Sequence, residues 1–266
     1  MLSSSTLGEY LQVTNNLDRY EKITEADPIV KSQTAYYKAN ISSVKTPSDL
    51  VNNYRLFSYV LTAYGLGDDV NQKALFKKVL QQGTGSTSNL AYTLNDPRIL
   101  ALAKTFNFAA NGTSTTSSTN VTNGVVNQYI EQTLETNEGQ SNTGVQLALY
   151  FQRNAPNIKS VYNILADKSL LTVVQTALGI SSLTSLENVD TQAKLIAKKL
   201  NISDFQDPKK LQKFIQKFCA MYDINNTSST SSSSSSSGSV LSLFGSSSDT
   251  TGFTTTLLSK MQGIRF

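Results

Sequence analysis

Residues 60–66 read VLTAYGL, and residues 173–180 repeat the pattern as VVQTALGI. In and before both stretches, apolar side chains recur every three or four positions, which is the period of a helix rather than of a strand. Gly65 and Gly179 then supply a residue that adopts the left-handed conformation without strain, followed by an apolar residue that can fold back onto the helix. Each stretch therefore predicts the end of a buried helix, closed by a glycine at positive φ.

Prolines mark where helices begin. Proline at the first helical position gives up only an amide hydrogen that has no partner there, and Asp or Thr just before it caps the helix. Four of the five prolines fit this pattern, and they predict helix starts at Asp27-Pro28, Thr46-Pro47, Asp96-Pro97 and Asp207-Pro208.

The residues after each glycine repeat the same order of elements. KALFKKVL (73–80) and NDPRILALAKTFNF (95–108) follow the first glycine, and AKLIAKKL (193–200) and QDPKKLQKFIQKF (206–218) follow the second. Each part reads helix, glycine stop, helix, Asp-Pro start and helix, which is typical of an internal duplication. Chance convergence of helix start and stop signals remains the alternative.

These patterns predict an all-α protein: a multi-helix body of two related helical halves, with extra terminal helices and Ser/Thr-rich loops. The first half is expected at 34–108 and the second half at 125–222. The remaining expected boundaries are 1–33 for an N-terminal helical segment, 109–124 for a Ser/Thr/Asn-rich linker, 223–250 for a Ser-rich low-complexity segment and 251–266 for a C-terminal helical segment.

No motif in the sequence identifies a catalytic, cofactor-binding or metal-binding residue. The chain has no histidine, which excludes Ser-His-Asp and Cys-His catalysis and removes a common metal ligand. Gly83-Thr84-Gly85-Ser86 lacks the Lys-Ser/Thr of a phosphate-binding loop, and Asp68-Asp69 lacks the frame of a calcium loop. Cys219, the single cysteine, lies in an apolar run and is expected to be a buried thiol. We therefore expect a protein that is not an enzyme and needs no cofactor or small-molecule substrate.

Charge and hydropathy constrain the partners. The net charge of +4 is small, and the lysines between Lys194 and Lys217 are interpreted as a solvated helical face, so a nucleic-acid partner is not expected. No stretch approaches the length of apolar sequence that spans a membrane, so membrane insertion is not expected either. The first residues lack the basic and apolar regions of a secretory signal peptide. The protein either stays in the cytoplasm or is exported without a cleaved signal.

Both ends of the chain carry short apolar stripes. A helix of about 15 residues is marginal by itself in water, so each stripe needs a packing partner. That partner is either the body of the same subunit or a neighbouring subunit. The candidate interaction residues are Leu7, Tyr10, Leu17 and Tyr20 near the N-terminus, and Leu257, Leu258, Met261 and Ile264 near the C-terminus.

The chain resembles a bacterial family known as domain of unknown function 1217. The resemblance covers about 34–222 and lies in TAYYKANISSVKTPSDLVNNYRLFSYVLTAYGL (34–66), LALYFQRNAP (147–156), YNILADKSLLTVVQTALGI (162–180) and the DPKKLQKFIQKF start at Asp207. The Ser/Thr-rich stretches at 111–120 and 226–239 are additional to the family pattern. The family has no agreed catalytic residues, and its members are known mainly from alphaproteobacterial flagellar gene clusters.

The resemblance implies a place in the bacterial flagellum. We expect a non-enzymatic structural or assembly protein that the flagellar secretion apparatus exports, part of or bound to the rod, hook or filament axis, with flagellar proteins or other copies of itself as partners. The alternatives are a cytoplasmic adaptor or export chaperone for flagellar assembly, a nucleic-acid-binding regulator, and an enzyme with an unrecognised lysine- or carboxylate-based site.

Overall fold

The computed structural model describes residues 5–230 of the chain, and within them it contains helices and no strand. The predicted all-α fold is therefore confirmed for this part of the chain. The first helices are α1 (Thr6–Thr14), α2 (Leu17–Ala26), α3 (Pro28–Asn40), α4 (Pro47–Asn52), α5 (Tyr54–Ala63), α6 (Lys73–Gln82), α7 (Leu90–Thr93), α8 (Pro97–Thr105) and α9 (Phe108–Asn111). They are followed by α10 (Val125–Ser141), α11 (Thr143–Asn154), α12 (Val161–Leu165), α13 (Lys168–Leu178), α14 (Val189–Lys199) and α15 (Pro208–Thr230).

Short turns of tighter or wider helix connect these elements. One π-helical turn, Asn120–Gly124, leads directly into α10. The 3-10 turns are Ile41–Ser43, Gly67–Asp69, Gly112–Ser117, Ala155–Asn157, Ser182–Leu186 and Ile202–Gln206.

The four helix starts predicted from proline are confirmed. Asp27 and Asp96 accept hydrogen bonds from backbone amides in the first turns of α3 and α8. Thr46 and Asp49 form a reciprocal capping box at the start of α4, and Asp207 accepts from the amide of Lys209 in α15. Each cap satisfies amides that have no partner inside the helix, which is why these four starts could be read from the sequence.

The two glycine stops are confirmed as well. Gly65 has φ of 69° and Gly179 has φ of 62°, both in the left-handed region. The amide that follows each glycine donates to the carbonyl five residues earlier, over 2.8 Å for Leu66 and 2.9 Å for Ile180. This is the Schellman arrangement, so both copies of the repeated stretch end a helix in the same way.

The buried side chains form two clusters. The first cluster lies between Val30 and Ile130 and includes Tyr37, Phe57 and Phe106. The second cluster draws on residues from Leu134 to Cys219, and Tyr10 and Val13 of α1 also belong to it. The N-terminal helix is thus part of the second core, although it precedes the first half in the chain. The predicted domain boundaries themselves stay a prediction.

The start of the described chain is joined to its last helix. The backbone amide of Thr6 donates to a carboxylate oxygen of Asp223 over 3.1 Å. At Gly144 of α11, a β-carbon would lie 2.6 Å from the Tyr222 ring and 2.8 Å from the Thr6 methyl group, too close for any side chain. Glycine at this position allows α1, α11 and α15 to approach one another closely.

The Ser/Thr/Asn-rich connection at 109–124 packs against the first core. Thr116 is fully buried and donates to the carbonyl of Val44 over 2.9 Å. Farther along, the Tyr37 hydroxyl donates to the carbonyl of Val121 over 2.6 Å. The buried Thr116 hydroxyl and the Val121 carbonyl in this polar connection therefore have hydrogen-bond partners in the first half.

Candidate functional site

A cleft of about 590 Å³ lies at the junction between the first half and the second half. Most of its lining residues have a hydroxyl or amide side chain. Its lining residues are Thr62, Gly65, Gly67, Asp68 and Arg98 from the first half and Gln132, Thr136, Thr143, Gln146, Leu147, Tyr150, Lys168, Ser169 and Thr172 from the second half.

Arg98 binds three groups at the base of the cleft. Its guanidinium pairs with Asp96 over 2.7 Å and with Asp167 over 3.3 Å, and its Nη1 donates to the carbonyl of Gly65 over 2.8 Å. Burial alone would lower the pKa of Arg98, but the hydrogen bond to Asp96 and the charge of Asp167 raise it overall. The guanidinium is therefore permanently charged, and it links the end of α5 to the start of α13.

Asp167 connects three elements through one carboxylate. Its Oδ1 accepts from the amides of Ser169 and Leu170 over 2.8 and 3.1 Å and caps α13, while its Oδ2 accepts from the Tyr150 hydroxyl over 2.6 Å. The Asp167 side chain is 1% exposed. Burial, followed by the charge of Asp167, raises the pKa of Tyr150. At neutral pH the phenol is thus a hydrogen-bond donor and not a base.

A second arginine, also half-buried, joins α10 to α11. Arg153 donates from Nε and Nη2 to the two carboxylate oxygens of Glu135, over 2.7 and 2.8 Å, and from Nη2 to Gln132 over 2.6 Å. Burial raises the pKa of Glu135, and the hydrogen bond and charge of Arg153 oppose that shift. A bidentate pair of this kind fixes the relative position of two helices.

Only one of the two glycine stops is packed at this junction. A β-carbon on Gly65 would lie 3.2 Å from both Gln132 Oε1 and Tyr150 Cε2. A β-carbon on Gly179 would meet nothing within 4 Å. The two copies of the repeat therefore share a backbone conformation but have different surroundings.

The ion pairs and hydrogen bonds at the junction hold helices together. In residues 5–226, whose side chains the structure describes, no three His, Cys, Asp or Glu side chains are grouped so that they could hold a metal ion. Cys219 is buried, and burial together with the charge of Asp223 raises the pKa of its thiol to about 12. The thiol is therefore protonated at neutral pH and is a poor nucleophile.

The structure places the predicted N-terminal interaction residues partly inside the subunit. Tyr10 is buried, and its hydroxyl donates to Gln152 over 2.9 Å. Leu7 and Tyr20 pack against the second core, and Leu17 remains 40% exposed. The predicted C-terminal residues lie outside the described residues; these are Leu257, Leu258, Met261 and Ile264. The role of all eight in assembly stays a prediction.

The structure also shows an exposed apolar feature that the sequence analysis missed. Leu183, Leu186 and Val189 are 71%, 85% and 54% exposed. Leu183 and Leu186 belong to the 3-10 turn Ser182–Leu186, in which side chains three positions apart eclipse one another. We call these three residues the apolar ridge. The signal that could have found it is the three-residue spacing of its members after the second glycine stop.

Known proteins resemble this chain at the level of family and fold. Residues 63–211 match the family model described as a protein of unknown function, DUF1217, and this match spans more than half of the chain. No curated protein matches the chain. The X-ray crystal structure of a protein from Agrobacterium tumefaciens is 37% identical to it, with a TM-score of 0.76, over 85% of this chain and 97% of that chain. Among the described helices, none combines the length and the apolar character needed to cross a membrane. From the family match and the shared fold, the chain belongs to the DUF1217 family.

Proposed function

We propose that this chain is a non-enzymatic structural or assembly protein of the bacterial flagellum. In this proposal the flagellar secretion apparatus exports it, and it becomes part of the rod, hook or filament axis or binds to it. Its partners are other flagellar proteins or further copies of itself. The family resemblance suggests the flagellar place, and the observation that carries the role in assembly is the apolar ridge, because exposed apolar side chains suit protein contacts.

Covering the apolar ridge would contribute to binding. Isolated exposed apolar residues are normal on protein surfaces, but neighbouring ones indicate a contact surface. Leu183 and Leu186 are the most exposed of the large apolar side chains in the described residues, at 71% and 85%. Full burial of a leucine or valine side chain is worth roughly 1.5–3 kcal/mol, so a partner that covers the ridge gains several kcal/mol.

The ion pairs at the junction between the halves also support a structural role. Arg98 and Arg153 are each held by buried carboxylates, and Asp167 is used to cap α13 and to bind Tyr150. These contacts fix helices relative to one another and leave the ionisable groups committed to the fold. A rigid helical body with an exposed apolar ridge fits a protein whose work is to bind other proteins.

The test combines localisation with ridge variants. The wild-type protein is expected in purified hook–basal bodies or in the culture supernatant, and to be lost from both when flagellar export is blocked. The variant Leu183→Asp/Leu186→Asp should keep the helical circular dichroism of the wild type but fail to incorporate. Tyr54→Asp is the matched control, because Tyr54 is also an exposed apolar residue, at 59%, and lies in α5, outside the ridge.

The outcomes separate the proposal from its main alternative. A protein that remains in the cytoplasm and still binds flagellar components would be an adaptor or export chaperone. Normal incorporation of the ridge variant would show that the ridge is not the contact surface. Absence of the wild-type protein from flagellar fractions, together with normal motility when the gene is deleted, would reject a flagellar role.

A further inference from the structure

The cleft between the two halves has the size and the fixed walls of a ligand site. Its volume of about 590 Å³ lies within the range of small-molecule sites. Thr62 and Asp68 line it from the first half, and Gln146 and Ser169 line it from the second half. The contacts of Arg98 described above join the two halves at its base, so the walls are held in place before a ligand binds.

Gln132 presents an unused hydrogen-bond donor to this cleft. The residue is 9% exposed, and its Oε1 accepts a hydrogen bond from Arg153 over 2.6 Å. Its Nε2 forms no hydrogen bond within the described residues, although the atom is not sealed inside the protein. The nitrogen therefore reaches open space, and the cleft is the space that Gln132 lines. Because a carboxamide nitrogen donates two hydrogen bonds, a ligand oxygen here would satisfy a group that the fold leaves unpaired.

Other hydroxyl and amide groups of the cleft are unused as well. Within residues 5–226, further lining side chains form no hydrogen bond; these are Thr62, Thr143, Gln146 and Ser169. The amide of Gln146 is also held in position, because it fills the space that Gly139 leaves on α10, where a β-carbon would collide with it. Both halves therefore contribute donors and acceptors that a ligand in the cleft could bind.

Neither charge nor apolar surface in the cleft selects another class of ligand. Arg98 is already paired with two carboxylates, and the first amides of α13 donate to Asp167. A phosphate or carboxylate would therefore find neither an unpaired arginine nor free helix amides. Lys168 and Asp68 are exposed charges of opposite sign, one from each half. Among the described lining residues, Leu147 is the only aliphatic one, so an apolar ligand is not favoured.

We propose that this cleft binds a neutral saccharide. A sugar carries several hydroxyl groups, each of which donates and accepts hydrogen bonds, and these match the unused groups of both halves. Its C–H face would lie against Leu147 and the ring of Tyr150, which also line the cleft. Binding of this kind adds a ligand to the proposed function and does not require catalysis. The cleft shares no residue with the apolar ridge, so the two surfaces can be tested separately.

The experiment is amide correlation NMR of the isotope-labelled full-length protein, titrated with glucose, N-acetylglucosamine, maltose and cellobiose up to about 50 mM. At least one of these sugars should shift the side-chain amide signals of Gln132 and the backbone signals of Thr62 and Ser169, and the shifts should saturate. The Gln132 signals report the proposed contact directly, because its Nε2 is the donor. Glucose should also bind at least as tightly as its phosphate ester, since the cleft offers no free anion site.

Thr62→Val/Ser169→Ala removes one unused hydroxyl from each half. Neither hydroxyl forms a hydrogen bond within the described residues, so the variant should keep the helical circular dichroism of the wild type. Its affinity for the sugar should fall by at least about tenfold, because two hydrogen bonds to the ligand are lost. Thr191→Val/Ser48→Ala is the matched control, since it makes the same two exchanges outside the cleft, and it should bind like the wild type.

Three results would overturn the proposal. The first is that no sugar of the set shifts the signals of the cleft, and the second is that the folded double variant binds as tightly as the wild type. The third is tighter binding of the phosphate ester than of glucose, which would show an anion site instead of a neutral one. All of these measurements use the purified protein, so the localisation test can fail without affecting them.

Discussion

Replacing the two glycine stops by alanine offers a direct test of how the halves are joined. Gly65 and Gly179 have nearly the same positive φ, so each alanine pays the same backbone cost. That cost is about 1–2 kcal/mol for an L-residue in the left-handed region, partly offset by about 0.4–1 kcal/mol from the smaller entropy of the unfolded chain. Gly179→Ala should therefore reduce the free energy of unfolding by about 1 kcal/mol.

Gly65→Ala should cost more, because its new methyl group enters the junction. The methyl group would lie 3.2 Å from atoms of Gln132 and Tyr150, so both side chains would have to move by a few tenths of an ångström. Tyr150 is held by its 2.6 Å hydrogen bond to Asp167, and Gln132 by its 2.6 Å hydrogen bond from Arg153. Overpacking of this kind costs about 1–3 kcal/mol, so Gly65→Ala should lose about 2–4 kcal/mol in total.

The assay is urea unfolding followed by circular dichroism, with the slope of the transition checked for each variant. Gly85→Ala is the control, because Gly85 is not at positive φ and its β-carbon would meet nothing within 4 Å. It should change the free energy of unfolding by less than about 1 kcal/mol. If Gly65→Ala and Gly179→Ala lose the same free energy of unfolding, the side chains around Gly65 can move to make room for the methyl group. If neither variant loses stability, the assigned left-handed turns are wrong.

Three further predictions concern individual ionisable groups. Asp167→Ala should lower the free energy of unfolding by about 3–5 kcal/mol, because it leaves Arg98 without its interhalf partner and removes the cap of α13; a loss below about 1 kcal/mol in urea unfolding would contradict this. Cys219 should react with a thiol reagent only after denaturation, since it is fully buried and burial raises its pKa to about 12; rapid labelling of the native protein would contradict the burial. Because the pKa of Glu21 and of Glu131 is raised above the ordinary value of 4.5, their protonated forms favour the folded state, and this stabilisation is lost as pH rises through the raised pKa values. Hydrogen exchange, corrected for its intrinsic rate, should therefore show α2 better protected near pH 5 than near pH 8, and Glu21→Gln should reduce the difference.

The elements that the sequence predicted well depend on local chemistry. A helix start at Asp96-Pro97 needs only residues that are adjacent in the chain, and the same is true of the stop at Gly65. These features could be read without knowing what packs against them.

The junction could not be predicted, because it depends on which helices meet. Arg98 and Asp167 lie far apart in the sequence, and nothing near either residue indicates the other as its partner. The different surroundings of Gly65 and Gly179 were also invisible, since the repeated stretches are similar and only the neighbouring helices differ. The apolar ridge was missed for another reason: leucines at three-residue spacing suit a buried helix and an exposed 3-10 turn equally well.

The union of α1 with α15 has a consequence for how the protein is made. Thr6 bonds to Asp223, so the second core cannot close during synthesis until nearly the whole described chain has left the ribosome. Contacts that join distant parts of a chain form late and slow the folding rate. A nascent chain of this kind stays open longer than one whose halves close in order. The pairing of α1 with α15 thus ties closure of the second core to the synthesis of α15.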